Sequence, residues 1–253
     1  MSAEPLRQLP ADVTSIVAFG AHPDDVDFGA SATLARFAQA GVAVRYVVLT
    51  QGDAGGFEDA GREGIQATRA AEQRQAAEAV GALSVEVWDE LDGHLAPTDA
   101  LQRRVVKVLR EHRPQLVLCP HPERDYERLQ RSHPDHLACG EIITRAVYPA
   151  LENPYAYPEL QDAGLHAYKL RHLWFYGAPA ARENTAVEIG GQLETKLQAL
   201  MAHLSQHPDP QRMREFVAAQ AQAVAANAGL PEGSFAEAFH TVEVNGPATI
   251  AGF

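Results

Sequence analysis

The feature that most constrains this chain is a fourfold alternation of short apolar runs with helix-patterned segments. The apolar runs are Ile16–Phe19, Val42–Thr50, Val85–Trp88 and Leu116–Cys119. Helical spacing follows each of them, over residues 31–40, 66–80, 99–112 and 133–147. In the third of these, Leu101, Val105, Val108 and Leu109 fall on one face, and Gly41, Gly81 and Pro114 end the first three segments. Runs that are apolar throughout must be covered on both sides. The pattern therefore predicts an α/β chain with a mostly parallel sheet between two helical layers.

Beyond residue 147 the pattern is looser. A strand is expected over 170–176 and a short one over 185–189. A helix is expected over 193–204, with Leu193, Leu197, Leu200 and Leu204 inward, and another over 211–226. Residues 239–244 read as an edge strand, and residues 1–14 as a polar lead-in that Pro5 and Pro10 keep irregular. No repeat, linker or composition shift marks a boundary. The expectation is one domain over 1–253, with residues from about 185 onward forming a helical and strand cap.

Composition narrows the function classes. A net charge of −12, with no Lys/Arg-rich run, opposes nucleic-acid binding. The two cysteines, Cys119 and Cys139, form no disulfide framework, and no apolar stretch approaches the ~18 residues of a membrane span. The start of the chain lacks a charged-then-apolar signal pattern. A cytoplasmic enzyme acting on a small molecule is expected. A dinucleotide oxidoreductase is disfavoured, because the first strand–helix turn has no GxGxxG.

That turn carries His22, Asp24 and Asp25. In an open α/β sheet, ligands bind beyond the carboxyl ends of the strands. An imidazole and two carboxylates there read as a metal site with a spare base; the alternative is that Asp24, Asp25 and Asp27 cap the following helix. A catalytic zinc site commonly takes three protein ligands and leaves a position for water. His22 and Asp25, three residues apart, can share one ion, and adjacent Asp24 and Asp25 point apart if the backbone is extended. The third ligand is open among His133, His136 and, nearer the fourth strand, His121.

With these residues in view, Ala21-His22-Pro23-Asp24-Asp25 followed by Gly29 resembles the opening motif of the PIG-L/LmbE-like zinc-dependent N-deacetylases. His133-Pro134-Asp135-His136 is similar to their second motif. Thr50-x-Gly52-Asp53-x-Gly55, Arg69-x-x-Glu72, Asp92-Gly93, Lys196, His203-x-Ser205-Gln206 and Glu237-Ala238-Phe239 follow in family order. The resemblance implies a Rossmann-like three-layer fold and removal of acetyl from an N-acetylated amino sugar or glycoside. It implies one Zn²⁺ held by His22, Asp25 and His136, with Asp24 as general base toward a metal-bound water. His133, as a protonated imidazole, would stabilise the oxyanion, with Asp135 keeping that histidine charged and oriented. Sites of two histidines and an aspartate also take Fe²⁺, Co²⁺ or Mn²⁺. A metal phosphoesterase and a metal-stabilised binding module are the competing classes. The first lacks a second dense acidic cluster, and the second has no use for Asp24.

Arg69 would contact substrate hydroxyls, or else pair with Glu72 on an exposed helix face. Asp92 binds a sugar hydroxyl or makes an Asx turn, and Asp27 bonds a ligand from behind or caps the helix. His203, Ser205 and Gln206 read as a helix end, His207-Pro208-Asp209-Pro210 as a turn, and Cys119 as a core residue. Gln51, Phe57, residues 58–63 and Arg131-Ser132 depart from the sugar-thiol branch of the family, which leaves the substrate's identity open; the oligomeric state is open as well.

Overall fold

The computed structural model describes residues 3–6, 8–56, 63–207, 209–246 and 249. Its strands are β1 (Glu4–Pro5), β2 (Ser15–Gly20), β3 (Ala43–Thr50), β4 (Ser84–Glu90), β5 (Leu116–Pro120), β6 (His172–Tyr176), β7 (Thr185–Glu188) and β8 (Ala236–Glu243). The helices are α1 (Asp25–Gln39), α2 (Ile65–Val80), α3 (Asp99–His112), α4 (Pro134–Arg145), α5 (Pro158–Asp162), α6 (Leu193–Met201) and α7 (Pro210–Asn227).

The strands form one 8-stranded sheet in the order β1-β7-β8-β6-β5-β2-β3-β4. The run from β6 to β4 is parallel, while β8 runs antiparallel to both of its neighbours. Alternate residues of the central strands β2 and β5 feed two cores. Val17, Phe19, Val117 and Cys119 meet α3 and α4 on one face. Ile16, Ala18, Leu116 and Leu118 meet α1 and α2 on the other. The expected Rossmann-like architecture, mostly parallel with helices on both faces, is therefore the one that forms.

Three expectations are corrected. β8 is an interior strand, bonded to β6 and β7, and not an edge. Its Glu237, His240 and Thr241 masked the apolar pattern, but Glu237 and His240 find partners elsewhere in the fold. The lead-in is partly ordered: Glu4 and Pro5 pair with Thr185 and Ala186 at the sheet edge, where a proline's missing N–H costs no ladder bond. α6 ends at Met201, so Leu204 lies outside it and is 58% exposed.

The chain leaves β2 for β3 and β4 on one side and returns to β5 and β6 on the other. The crevice between β2 and β5 is the topological switch point, where such sheets bind ligands. α4 is held there by a close approach. A Cβ added to Gly140 would lie 2.4 Å from the Pro120 carbonyl oxygen, a backbone atom that cannot swing away. Gly140→Ala is expected to cost about 1–3 kcal/mol as overpacking, read as a lower melting temperature. An unchanged melting temperature would mean that α4 is free to slide on β5.

Candidate active site

The β2–α1 turn supplies the first half of the site. Asp25 opens α1, and its Oδ2 accepts from the backbone N–H groups of Ala21 (2.9 Å) and His22 (2.8 Å). That leaves Oδ1 to face His136 Nε2 at 2.9 Å. Burial would raise the Asp25 carboxyl, but the charges of His136 and His22 and their hydrogen bonds hold it well below the usual carboxylate range. Asp24 precedes it at φ 105°, a left-handed conformation that is strained for a non-glycine residue. The two carboxylates diverge because of this turn, not because the backbone is extended. Neither Asp24 nor Asp25 acts as the expected side-chain cap of α1.

α4 supplies the second half. His133 is its N-cap, and Nδ1 accepts from the Asp135 N–H at 3.2 Å. The ring therefore carries its proton on Nε2 when neutral. His136 follows in the first turn, and the rings of His22, His133 and His136 lie 4.8–5.4 Å apart. Burial and the neighbouring imidazoles of His22 and His136 push His133 below its ordinary value. With Nδ1 engaged by the Asp135 N–H, Nε2 is the ring nitrogen left to face a ligand.

Asp135 does not orient His133 through its carboxylate, as expected. Its Oδ2 bonds His22 Nε2 at 3.1 Å, and the two oxygens accept from the Gly93 and Leu95 N–H groups. Asp92 Oδ1 also lies 3.1 Å from His22 Nε2. Burial disfavours a charged His22, but the charge of Asp25 and hydrogen bonds with Asp135, Asp25 and Asp92 push it up to about 12. A cage that stabilises an imidazolium this strongly has the charge to replace the proton with a dication. His22, His133 and His136, and likewise His22, Asp92 and Asp135, have ligand atoms within 4.8 Å of one another. Asp25 belongs to neither trio but touches both His22 and His136. A ligating histidine typically gives its other ring N–H to a carboxylate, as His22 can to Asp135. These imidazole and carboxylate donors fit a divalent metal ion.

Behind the turn, Asp27 is fully buried and does not cap α1. Its Oδ2 receives Gln73 Nε2 (2.7 Å) and His203 Nε2 (3.0 Å), and Gln73 Oε1 accepts the Asp24 N–H at 2.9 Å. His203 is thus a buried support for the Asp24 backbone, not a helix-end cap. Gln73 was missed, although it lies four residues from Arg69 on the same helix face. Lys196 donates to Glu237 and to the Asp27 and Phe28 carbonyls, and Glu237 accepts the Ala32 and Thr33 N–H groups. This ion pair clamps α1 to α6 and β8.

Arg69 is buried, and its pairing with Glu72 does not form; Glu72 instead accepts from Ser205. Arg69 donates to the Gly52 and Pro23 carbonyls at 2.9 and 2.7 Å and lies 3.5 Å from Asp24 and 3.7 Å from Asp92. Gly52, at φ 65°, is required because a Cβ there would lie 2.4 Å from the guanidinium. Arg69 and Asp92 therefore flank the site on its β3–β4 side. On the β6–β8 side a cavity of about 700 Å³ reaches Asp25 and His136, walled by Phe28, Tyr176 and Phe216 with Arg131. That is room for a whole small-molecule ligand. Phe57 and residues 58–62, where the sequence departs from the sugar-thiol branch, lie outside the described residues.

His207, read as part of a turn, is at the site: its Nε2 is 3.7 Å from Asp24 Oδ2. Pro210 does not merely break a helix but starts α7, with Asp209 as N-cap. His121, the rival ligand, is elsewhere, bonding His240 Nδ1 through Nε2 at 2.9 Å. Burial and the His240 charge lower it to about 4. Between about pH 6.5 and pH 4 the unfolded chain then binds the proton that folded His121 refuses, so stability falls with falling pH across that window. His121→Gln is expected to flatten this part of a melting-temperature profile against pH; a parallel profile would exclude the effect.

Residues 17–147 match the family described as PIG-L, GlcNAc-PI de-N-acetylase. The diacetylchitobiose deacetylase of Thermococcus kodakarensis is 32% identical over 201 residues, covering 78% of this chain and 72% of that one. The solved N,N'-diacetylchitobiose deacetylase of Pyrococcus horikoshii superposes with a TM-score of 0.83 at 26% identity, over 92% of this chain and 85% of that one. The 4-carboxy-2-hydroxymuconate hydratase GalB of Pseudomonas putida superposes with a TM-score of 0.76 at 21% identity, over 94% of this chain and 100% of that one, a likeness of fold alone.

Proposed function

This chain belongs to the PIG-L family of de-N-acetylases, and from that premise we propose that it is a metal-dependent hydrolase removing the acetyl group from an N-acetylated amino sugar or glycoside. The observation that carries the reading is Asp24. Its carboxylate lies 3.5 Å from Arg69 and 3.7 Å from His207 and accepts no hydrogen bond from the described residues. A binding module has no use for such a group; a hydrolase needs it as a base.

His22, Asp25 and His136 would hold one divalent ion, Zn²⁺ or another first-row metal, which when bound supplies a Lewis acid that polarises the amide and acidifies water. Asp24 takes the first proton from the attacking water and returns it to the departing amine nitrogen. His133 donates its Nε2–H to the oxygen on which charge develops. Asp135 holds His22 in one orientation. Arg69 and Asp92 line the side where sugar hydroxyls would bind. Acetate and a free amine leave.

The test is metal content together with acetate release from a panel of N-acetylated sugars, with Asp24→Ala as control. The expected result is one metal per chain in both proteins, with acetate released in step with new amine by the wild type and neither product from the control. Metal without acetate from any acetamide would return the chain to the binding-module class, and phosphate release from phosphoesters would make it an esterase.

A further inference from the structure

Asp24 Oδ2 lies between two side chains, Arg69 at 3.5 Å and His207 at 3.7 Å. Arg69 is locked by two backbone carbonyls and cannot give up a proton. His207 is different. Its Nε2 is buried with no hydrogen-bond partner among the described residues, yet its side chain is 20% exposed. The opening therefore lies on the rest of the side chain, and the imidazole runs from the half-buried Asp24 carboxylate toward solvent. Its placement is built: the ring meets Phe28 edge-on at 5.0 Å and 83°. The His207 N–H bonds the carbonyl of His203, which is itself anchored on Asp27.

Hydrolysis of an acetamide gives this imidazole a task, on the reading that the chain is a deacetylase. The attacking water brings two protons as the C–O bond forms and the C–N bond breaks. The first returns through Asp24 to the amide nitrogen, which departs as a neutral amine. The second is left on the new carboxylic acid and passes to the Asp24 carboxylate emptied by the first transfer, so that acetate leaves as the anion. We propose that His207 carries this second proton, accepting it at Nε2 from Asp24 and releasing one from Nδ1 to solvent. A gap of 3.7 Å closes with a small ring movement or with one bridging water. No electrons change hands, and the cycle ends with Asp24 ionised and His207 neutral. His207 acts through Asp24 and does not touch the acetamide.

The test compares His207→Ala and His207→Phe with the wild type, on the full metal-loaded chain and an acetamide that the wild type hydrolyses. Both variants are expected to lose at least about tenfold in kcat with KM kept, less than the ~10²–10⁴ that a direct acid–base group supplies. Imidazole in the buffer should restore His207→Ala in a saturable way and leave the wild type unchanged. His207→Phe keeps the packing on Phe28 and stays slow. A readout independent of turnover is the ¹⁵N signal of the His207 ring in the metal-free chain, expected to move in Asp24→Asn. The relay is overturned by wild-type kcat in His207→Ala, by a loss that imidazole does not rescue, or by recovery in His207→Phe. If the wild type hydrolyses no acetamide, the deacetylase reading itself falls and the relay with it. That outcome is separate from an active enzyme indifferent to residue 207.

Discussion

Asp24→Asn is expected to lower acetate release by about 10²- to 10⁴-fold while the protein keeps its fold and its metal. The substitution replaces one oxygen by a nitrogen of the same size and removes the basicity. Asparagine tolerates positive φ better than most residues, so the strained turn at 105° is kept. Two contacts that fix the turn go through the Asp24 backbone: its N–H to Gln73 and its carbonyl from the Phe28 N–H. Neither depends on the side chain. The donors of the cluster are untouched, so metal content should match the wild type. Asp25→Asn is the contrasting case. It weakens the contact with His136 and disturbs two backbone N–H bonds, and metal should be lost along with activity. Activity of Asp24→Asn within a few-fold of wild type would remove the base from this residue and, with it, the observation on which the proposed function stands.

The second large effect concerns stability. Lys196→Met is expected to cost about 3–5 kcal/mol, because it strands the buried Glu237 carboxylate without its cation. Both side chains are only 5–6% exposed, and Lys196 also satisfies two carbonyls of the first turn of α1. For a chain of this size that corresponds to a melting temperature lower by roughly 6–20 °C. Glu237→Gln in the Lys196→Met background should recover part of the loss. The amide oxygen still accepts from the Ala32 and Thr33 N–H groups, and the stranded charge is gone. A single variant that melts within 2 °C of the wild type, on a scale of ~2–4 °C per kcal/mol, would show that water reaches the pair and screens it. The clamp also holds Asp25, at the start of α1, against the C-terminal elements. Loss of metal affinity in Lys196→Met at temperatures where it is folded is the accompanying expectation.

The parallel half of the fold was legible because buried strands must be apolar along their whole length. Ile16–Phe19, ahead of the first helical segment, and Leu116–Cys119, between the third and fourth, are apolar throughout and read as buried strands. The C-terminal half was harder for the same reason reversed. β8 carries Glu237 and His240 into the interior, and only the presence of Lys196 and His121 opposite them makes that burial tolerable. A charged residue in a strand reads as an edge or a surface until its partner, some 40 or 119 positions away, is known. In the site, spacing pairs His22 with Asp25 and the family resemblance adds His136, and the fold brings the three together. Asp135 was assigned to its sequence neighbour His133, whereas its carboxylate reaches across the crevice to His22.

The sequence by itself determined which chemistry the chain carries. An imidazole and paired carboxylates in the turn after the first buried strand, and two more imidazoles at the start of a later helix, are local facts set by residue type and spacing. The tertiary structure alone decided how those groups are employed. It chose which oxygen of Asp25 is free, placed a strained φ at Asp24, gave Asp135 to His22, and brought His207 to Asp24 from a segment that reads as a turn. Periodicity and motif are properties of neighbours along the chain. Desolvation, charge pairing and hydrogen-bond satisfaction depend on neighbours in space, and folding alone brings those together.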